Sequence, residues 1–171
     1  MGFDVYGKSP KNEKGQYFRN NVWWWHPLWE YCLNTHSEIT SKVLNGHSNE
    51  GDGLNSSDAY KLGILLRQDY HSGFAKDYEQ KYVNYLKSLP LVSCEVCSGT
   101  GFFGHKKEFV ATTDQQQDVS DVSDTTEQTG VCRYCEGSGE TKSFLTNYPF
   151  SAENVKEFSD FCINSGGFSI C

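Results

Sequence analysis

The chain has 171 residues, enough for one domain of ordinary size with a real core and room for a small insertion. It carries 22 acidic and 15 basic side chains, a net charge of −7, and no Lys/Arg stripe, which excludes general binding along a nucleic-acid backbone. No run approaches the roughly 18 apolar residues of a membrane span, so no membrane association is expected.

The opening MGFDVYGK lacks the basic-then-apolar layout of a signal peptide, and Tyr6 stands where a myristoylation pattern needs Ser or Thr. A cytoplasmic location is expected, where cysteines stay reduced and paired CxxC units hold metal more often than disulfides. Hydrophobic residues make up 37% of the chain and aromatics 15%, so rings must fill much of any core.

In chain order, GFDVYG alternates with Phe3 and Val5 on one face and reads as a strand. SPKNEKG at 9–15 is turn chemistry, and residues 17–25 read as the second strand of a hairpin. Pro27 suits the first turn of a helix, whose apolar stripe runs through positions 28, 29, 32, 33, 36, 39, 43 and 44 to Asn45-Gly46. After the polar loop 47–55, Asn55 caps a second helix carrying Ala59, Leu62, Leu66 and Tyr70, closed or bent by Gly73. A third carries Phe74, Tyr78, Tyr82, Tyr85, Leu86 and Leu89 and stops at Pro90. Ser151 caps the last, with Val155, Phe158, Phe161 and Cys162 inward, and FSIC at 168–171 is a short strand able to pair with the first.

These elements predict an α+β fold, a small antiparallel sheet packed on about four helices. Its core domain comprises 1–93 and 141–171, and 94–140 is an insertion. That insertion holds 3 basic and 9 acidic residues. Its stretch 111–130 has hardly a residue to bury and is expected to be a mobile acidic loop.

The insertion begins with CEVCSGTG at 94–101 and ends with CRYCEGSG at 132–139. Each CxxC turn sets two thiolates on one side of a tetrahedron, and the glycines after each pair let the backbone turn tightly around sulfur. Cys94, Cys97, Cys132 and Cys135 therefore predict one structural zinc ion, with no coordination position left open for catalysis. Redox chemistry would call for a thioredoxin-like βαβ frame, which neither pair has. The CxxCxGxG units of residues 94–139 resemble the zinc-binding cysteine-rich domain of DnaJ-type co-chaperones. That family has four units and two zinc sites, whereas this chain has two units; nor has it a J domain, since His26-Pro27 is followed by Leu28 rather than Asp.

The other three cysteines, Cys32, Cys162 and Cys171, are expected to be buried. His36 lies one helical turn from Cys32, a spacing that alone does not make a reactive thiol.

All four tryptophans fall within NVWWWHPLW, residues 21–29. On a strand, Trp23 and Trp25 point one way and Trp24 the other. Two readings stand. The rings are buried between sheet and helices, or some of them face a pocket for a small planar, nucleotide-like ligand. In the second reading the pocket is formed by Arg19, Asn21, Trp23, Trp24, Trp25 and His26, completed by His47, Asn49 and Asp52 from the glycine-rich loop. That loop fails as a calcium site, because its oxygens miss the EF-hand positions.

No glycine-rich phosphate loop or serine elbow is present, so no catalytic residue is assigned. The frame outside the insertion, GFDVYGK, NEKG-YFRNNVWWW-PLW, NYPFS-ENV-EF and GGFSIC, resembles small uncharacterised proteins of phages and bacteria. That resemblance implies a bacterial host cytoplasm and an accessory role. The expectation is a non-enzymatic, zinc-stabilised binding protein with a protein partner. Small-ligand binding is the alternative, and a histidine-dependent hydrolase is third.

Overall fold

The computed structural model describes residues 2–103 and 130–171, so all of the predicted acidic loop except Gly130 lies outside the described residues. The elements are β1 (Gly2–Gly7), a 3-10 turn (Glu13–Gly15), β2 (Tyr17–Asn21), α1 (Val22–Thr35), α2 (Ser37–Thr40), α3 (Ser56–Ser72) and α4 (Phe74–Ser88). Four two-residue strands follow: β3 (Val92–Ser93), β4 (Phe102–Phe103), β5 (Gly130–Val131) and β6 (Glu140–Thr141). A second 3-10 turn (Phe144–Asn147), α5 (Ala152–Asn164) and β7 (Phe168–Ile170) complete the chain. It divides into two compact units, Met1–Ser88 with Phe144–Cys171, and Leu89–Ser143.

The first unit is an α+β fold built on one antiparallel sheet of order β2-β1-β7. Val5 is the pivot of its register, opposite Phe18 on one side and Ile170 on the other. Phe3, Val5, Phe18, Phe168 and Ile170 are buried, the period-two face expected of a half-covered sheet. α5 lies close against α3. A Cβ on Gly63 would come within 2.7 Å of the Ile163 side chain and 2.9 Å of the Ser159 carbonyl, so only glycine allows the two helices this approach. Asn55 caps α3 as predicted, its side chain accepting from the Asp58 N–H at 2.9 Å. Its amide in turn donates to the Asp58 carboxylate, which also takes the Lys42 ammonium at 2.8 Å.

The tryptophan segment departs from the expectation. The second strand ends at Asn21, and Val22 to Thr35 is helix. Asn21 is the reason: its extended backbone and side-chain oxygen, 3.2 Å from the Trp24 N–H, make it an N-cap. The β-propensity of the rings is overridden because a helix places Trp25 and Trp29, four residues apart, on one buried face. The two rings stack at 5.6 Å and 8°, Trp25 stacks on Phe3 at 5.3 Å, and its indole N–H donates to the Gly46 carbonyl at 2.8 Å. Pro27 consequently lies inside α1 rather than in its first turn, and the stripe predicted to run unbroken to 44 is interrupted at His36.

Candidate metal centre and aromatic cleft

In the second unit the four cysteines of the two CxxC turns converge, their sulfurs all within 4.8 Å of one another. Cys94 and Cys132 sulfurs are 3.9 Å apart, and those of Cys97 and Cys135 3.7 Å. A tetrahedron with metal–sulfur bonds of about 2.3 Å has edges of about 3.8 Å, whereas a disulfide needs about 2.05 Å. The spacing therefore fits four thiolates around one ion, and all four cysteines are free and buried.

The local backbone explains the convergence. The halves are related by a 38-residue repeat and exchange their edges: β3 pairs with β6 and β4 with β5. The Cys94 N–H donates to Gly139 and the Cys132 N–H to Gly101, both at 2.8 Å. Thr100 and Ser138 repeat each other as well, each hydroxyl donating at 2.7 Å to the carbonyl of its cysteine, Cys97 or Cys135. Gly101 and Gly139 have φ of 78° and 76°, and a Cβ on either would lie within 2.4 Å of a carbonyl of the opposite half. Glycine is thus required twice over, for backbone sign and for space. Burial pushes the Cys97 thiol up, but the Gly101 N–H at 3.2 Å and the neighbouring thiols outweigh it and draw the group down to about 6. Against the same burial, the Gly139 and Gly137 N–H groups lower Cys135, whereas burial raises Cys94 to about 11, so the backbone donors favour thiolate, the form a metal needs, at Cys97 and Cys135.

In the first unit, two of the predicted ligand residues meet. The Nδ1 atoms of His26 and His47 are 2.8 Å apart, and His47 Nε2 lies 3.5 Å from the Glu30 carboxylate. They border a cleft of about 400 Å³. α1 contributes His26, Pro27 and Glu30 to it, α4 contributes Tyr78 and Tyr82, and the segment after the insertion contributes Phe144, Leu145 and Tyr148. Burial, then the charge of His47, lowers the pKa of His26. Burial raises Tyr78 and Tyr82, and the Glu30 charge adds to both.

The remaining predicted ligand residues are placed elsewhere or already occupied. Trp23 packs edge-on against Phe144 and Tyr148, next to the cleft, and Trp24 is half-buried. Trp25 is fully enclosed, so it is a core ring and not a pocket wall. Asn21 is spent on the cap, and Arg19 faces Asp4 at 3.6 Å. Asn49 donates to the Gly2 carbonyl. Asp52 accepts the Asn45 and Gly53 N–H groups, the first of which does most to lower its pKa. Sequence reasoning missed Glu30, Tyr78, Tyr82, Phe144 and Tyr148. The exposed edge of the α4 tyrosine stripe was the available signal.

Cys32 and Cys162 are buried as expected and their thiols are held up by burial, but Cys171 is exposed. His36 pairs with Asp69 at 2.8 Å, and Tyr31 donates to the same carboxylate at 2.7 Å. The Cys32/His36 spacing therefore serves packing. No helix among the described residues is long and apolar enough to cross a membrane. Comparison of the chain with protein-family models, curated proteins and solved structures finds no match.

Proposed function

We propose that the four thiolates hold one structural zinc ion and that the protein is a non-enzymatic binding protein whose zinc unit meets a protein partner. One observation carries the reading: the zinc unit turns its apolar residues outward. Among its described residues the buried cluster consists of the four cysteines, while Val92, Val96, Phe102, Val131 and Tyr134 are 41–70% exposed. A metal centre in place of a hydrophobic core frees these side chains for a surface, and an exposed group of this kind marks an interaction site. The CxxCxGxG repeat makes the unit a half-sized counterpart of the DnaJ-type cysteine-rich domain. The likeness of the frame to small phage and bacterial proteins makes a bacterial host protein the partner class we propose.

The test is a pull-down from host lysate with the zinc-loaded protein and a Phe102→Ser/Tyr134→Ser double variant. A partner retained at about stoichiometric amounts by the first and lost by the second, with one zinc in both, is the expected result. Retention of nothing above background, or equal retention by both, overturns the reading.

A further inference from the structure

The cleft of the first unit has its own chemistry, independent of the zinc unit. Among the described residues no lysine or arginine lines it. The carboxylate among its described lining, Glu30, is more than half exposed, accepts from the Asn34 amide at 3.2 Å and lies 3.5 Å from His47. Two imidazole Nδ1 atoms 2.8 Å apart can hold only one hydrogen between them, so at least one ring of the His26–His47 pair carries no charge.

Four phenyl or phenol rings complete the lining. Tyr78 and Tyr82 lie nearly parallel, 6.2 Å apart, on α4, and Phe144 and Tyr148 meet edge to face at 6.0 Å. Ring faces carry a negative quadrupole, and the Glu30 carboxylate adds a negative charge near both α4 phenols, reinforcing the raising that burial chiefly causes. A nucleotide would meet this carboxylate with its phosphates and find no cation to pair with. A neutral planar ring would use the aromatic walls but leave Glu30 unmatched. A small inorganic cation would keep its water and ignore the rings.

We propose that this cleft binds an organic ammonium ion, an alkylated amine, with Glu30 as its counter-charge and Tyr78, Tyr82 and Tyr148 against its methyl or methylene groups. The volume of about 400 Å³ falls within the range of small-molecule sites, roughly 300–1,000 Å³.

Calorimetric titration of the zinc-loaded protein tests the proposal, at about pH 8, above the ordinary imidazole pKa of about 6.5. The probes are choline, its neutral isostere 3,3-dimethylbutan-1-ol, and adenine. Choline should saturate one site and bind about tenfold more tightly than the alcohol, the size of a partly desolvated cation–ring and carboxylate contact. Glu30→Gln, which keeps the shape and the amide contacts, should weaken choline about tenfold and leave the alcohol unchanged. Tyr82→Leu should weaken choline without shifting Tm by more than a few degrees. Equal binding of choline and the alcohol, tighter binding of adenine, or no saturable binding of choline overturns the proposal.

Discussion

The two units of this chain solve the same problem with opposite materials. In the first, rings are buried in layers: Trp25 lies between Phe3 and Trp29, with Phe158 edge-on, and the sheet's apolar face closes over Phe158 and Phe161. Removing such area from water is worth about 25 cal/mol per Å², and the unit is long enough to accumulate it. In the second, strands of two residues cannot bury anything of consequence, and among the described residues the enclosed cluster is four cysteines. Charged thiolates brought together without a cation would repel one another. Sulfurs at these spacings fit around a single metal ion, whose charge would offset that repulsion. One unit therefore encloses a ring-filled core, while the other, among its described residues, encloses four cysteines placed to hold an ion. The same difference leaves Val92, Val96, Phe102, Val131 and Tyr134 of the second unit exposed.

Metal removal tests this contrast most severely. A strong chelator, or Cys97→Ser with Cys135→Ser, should abolish zinc binding, whose apparent free energy in four-ligand sites is about 10–16 kcal/mol near neutral pH, and should unfold the second unit. All four tryptophans are in the first unit, so tryptophan fluorescence should be almost unchanged while metal analysis falls to zero. A collapse of the fluorescence together with the metal would show that the two units are not energetically separate.

The converse experiment is smaller. Trp25→Ala deletes a fully buried ring and its bond to Gly46, which should cost about 3–5 kcal/mol in denaturant unfolding followed by the remaining tryptophans. The variant should still bind one zinc. Loss of zinc on this substitution would break the comparison from the other side.

The smallest effect comes from pH. His26 has a lowered pKa in the folded chain, so between that value and the unfolded value of about 6.5 the unfolded state binds more protons. Stability of the first unit should be flat above about pH 6.5 and decline as pH falls through the window below it. His26→Gln should flatten the decline, measured by tryptophan-detected thermal melts. A slope unaffected by that change would assign the titration to another group.

The parts of the molecule that were legible in the sequence share a length scale. The caps Asn55 and Ser151 each serve a backbone N–H two or three residues away, and the strand Gly2–Gly7 shows as a two-residue alternation. The α1 boundary was misplaced although its cap was equally local. Asn21 stands directly before three tryptophans, and ring-rich β-propensity outweighed the single capping residue in the reading. What turned the segment helical was the buried stack of Trp25 on Trp29 and Phe3, a contact that exists only once β1 and α1 are packed. The nine residues grouped as a ligand set show the same division. His26 and His47 come together across 21 positions, while Asp52 takes the N–H of Asn45, Arg19 faces Asp4 and Asn49 reaches the Gly2 carbonyl, contacts outside the described lining of the cleft.

By itself, then, the sequence determined which four cysteines converge at metal-binding distance. A CxxC turn places two sulfurs by the covalent geometry of four residues, the glycines that follow permit the positive φ, and repetition supplies the other two sulfurs. Only the tertiary structure decided which tryptophan is core and where a cleft opens. Burial of a ring depends on what packs over it from distant parts of the chain, and no spacing along α1 announces that α4 and the residues after the insertion will stand around His26.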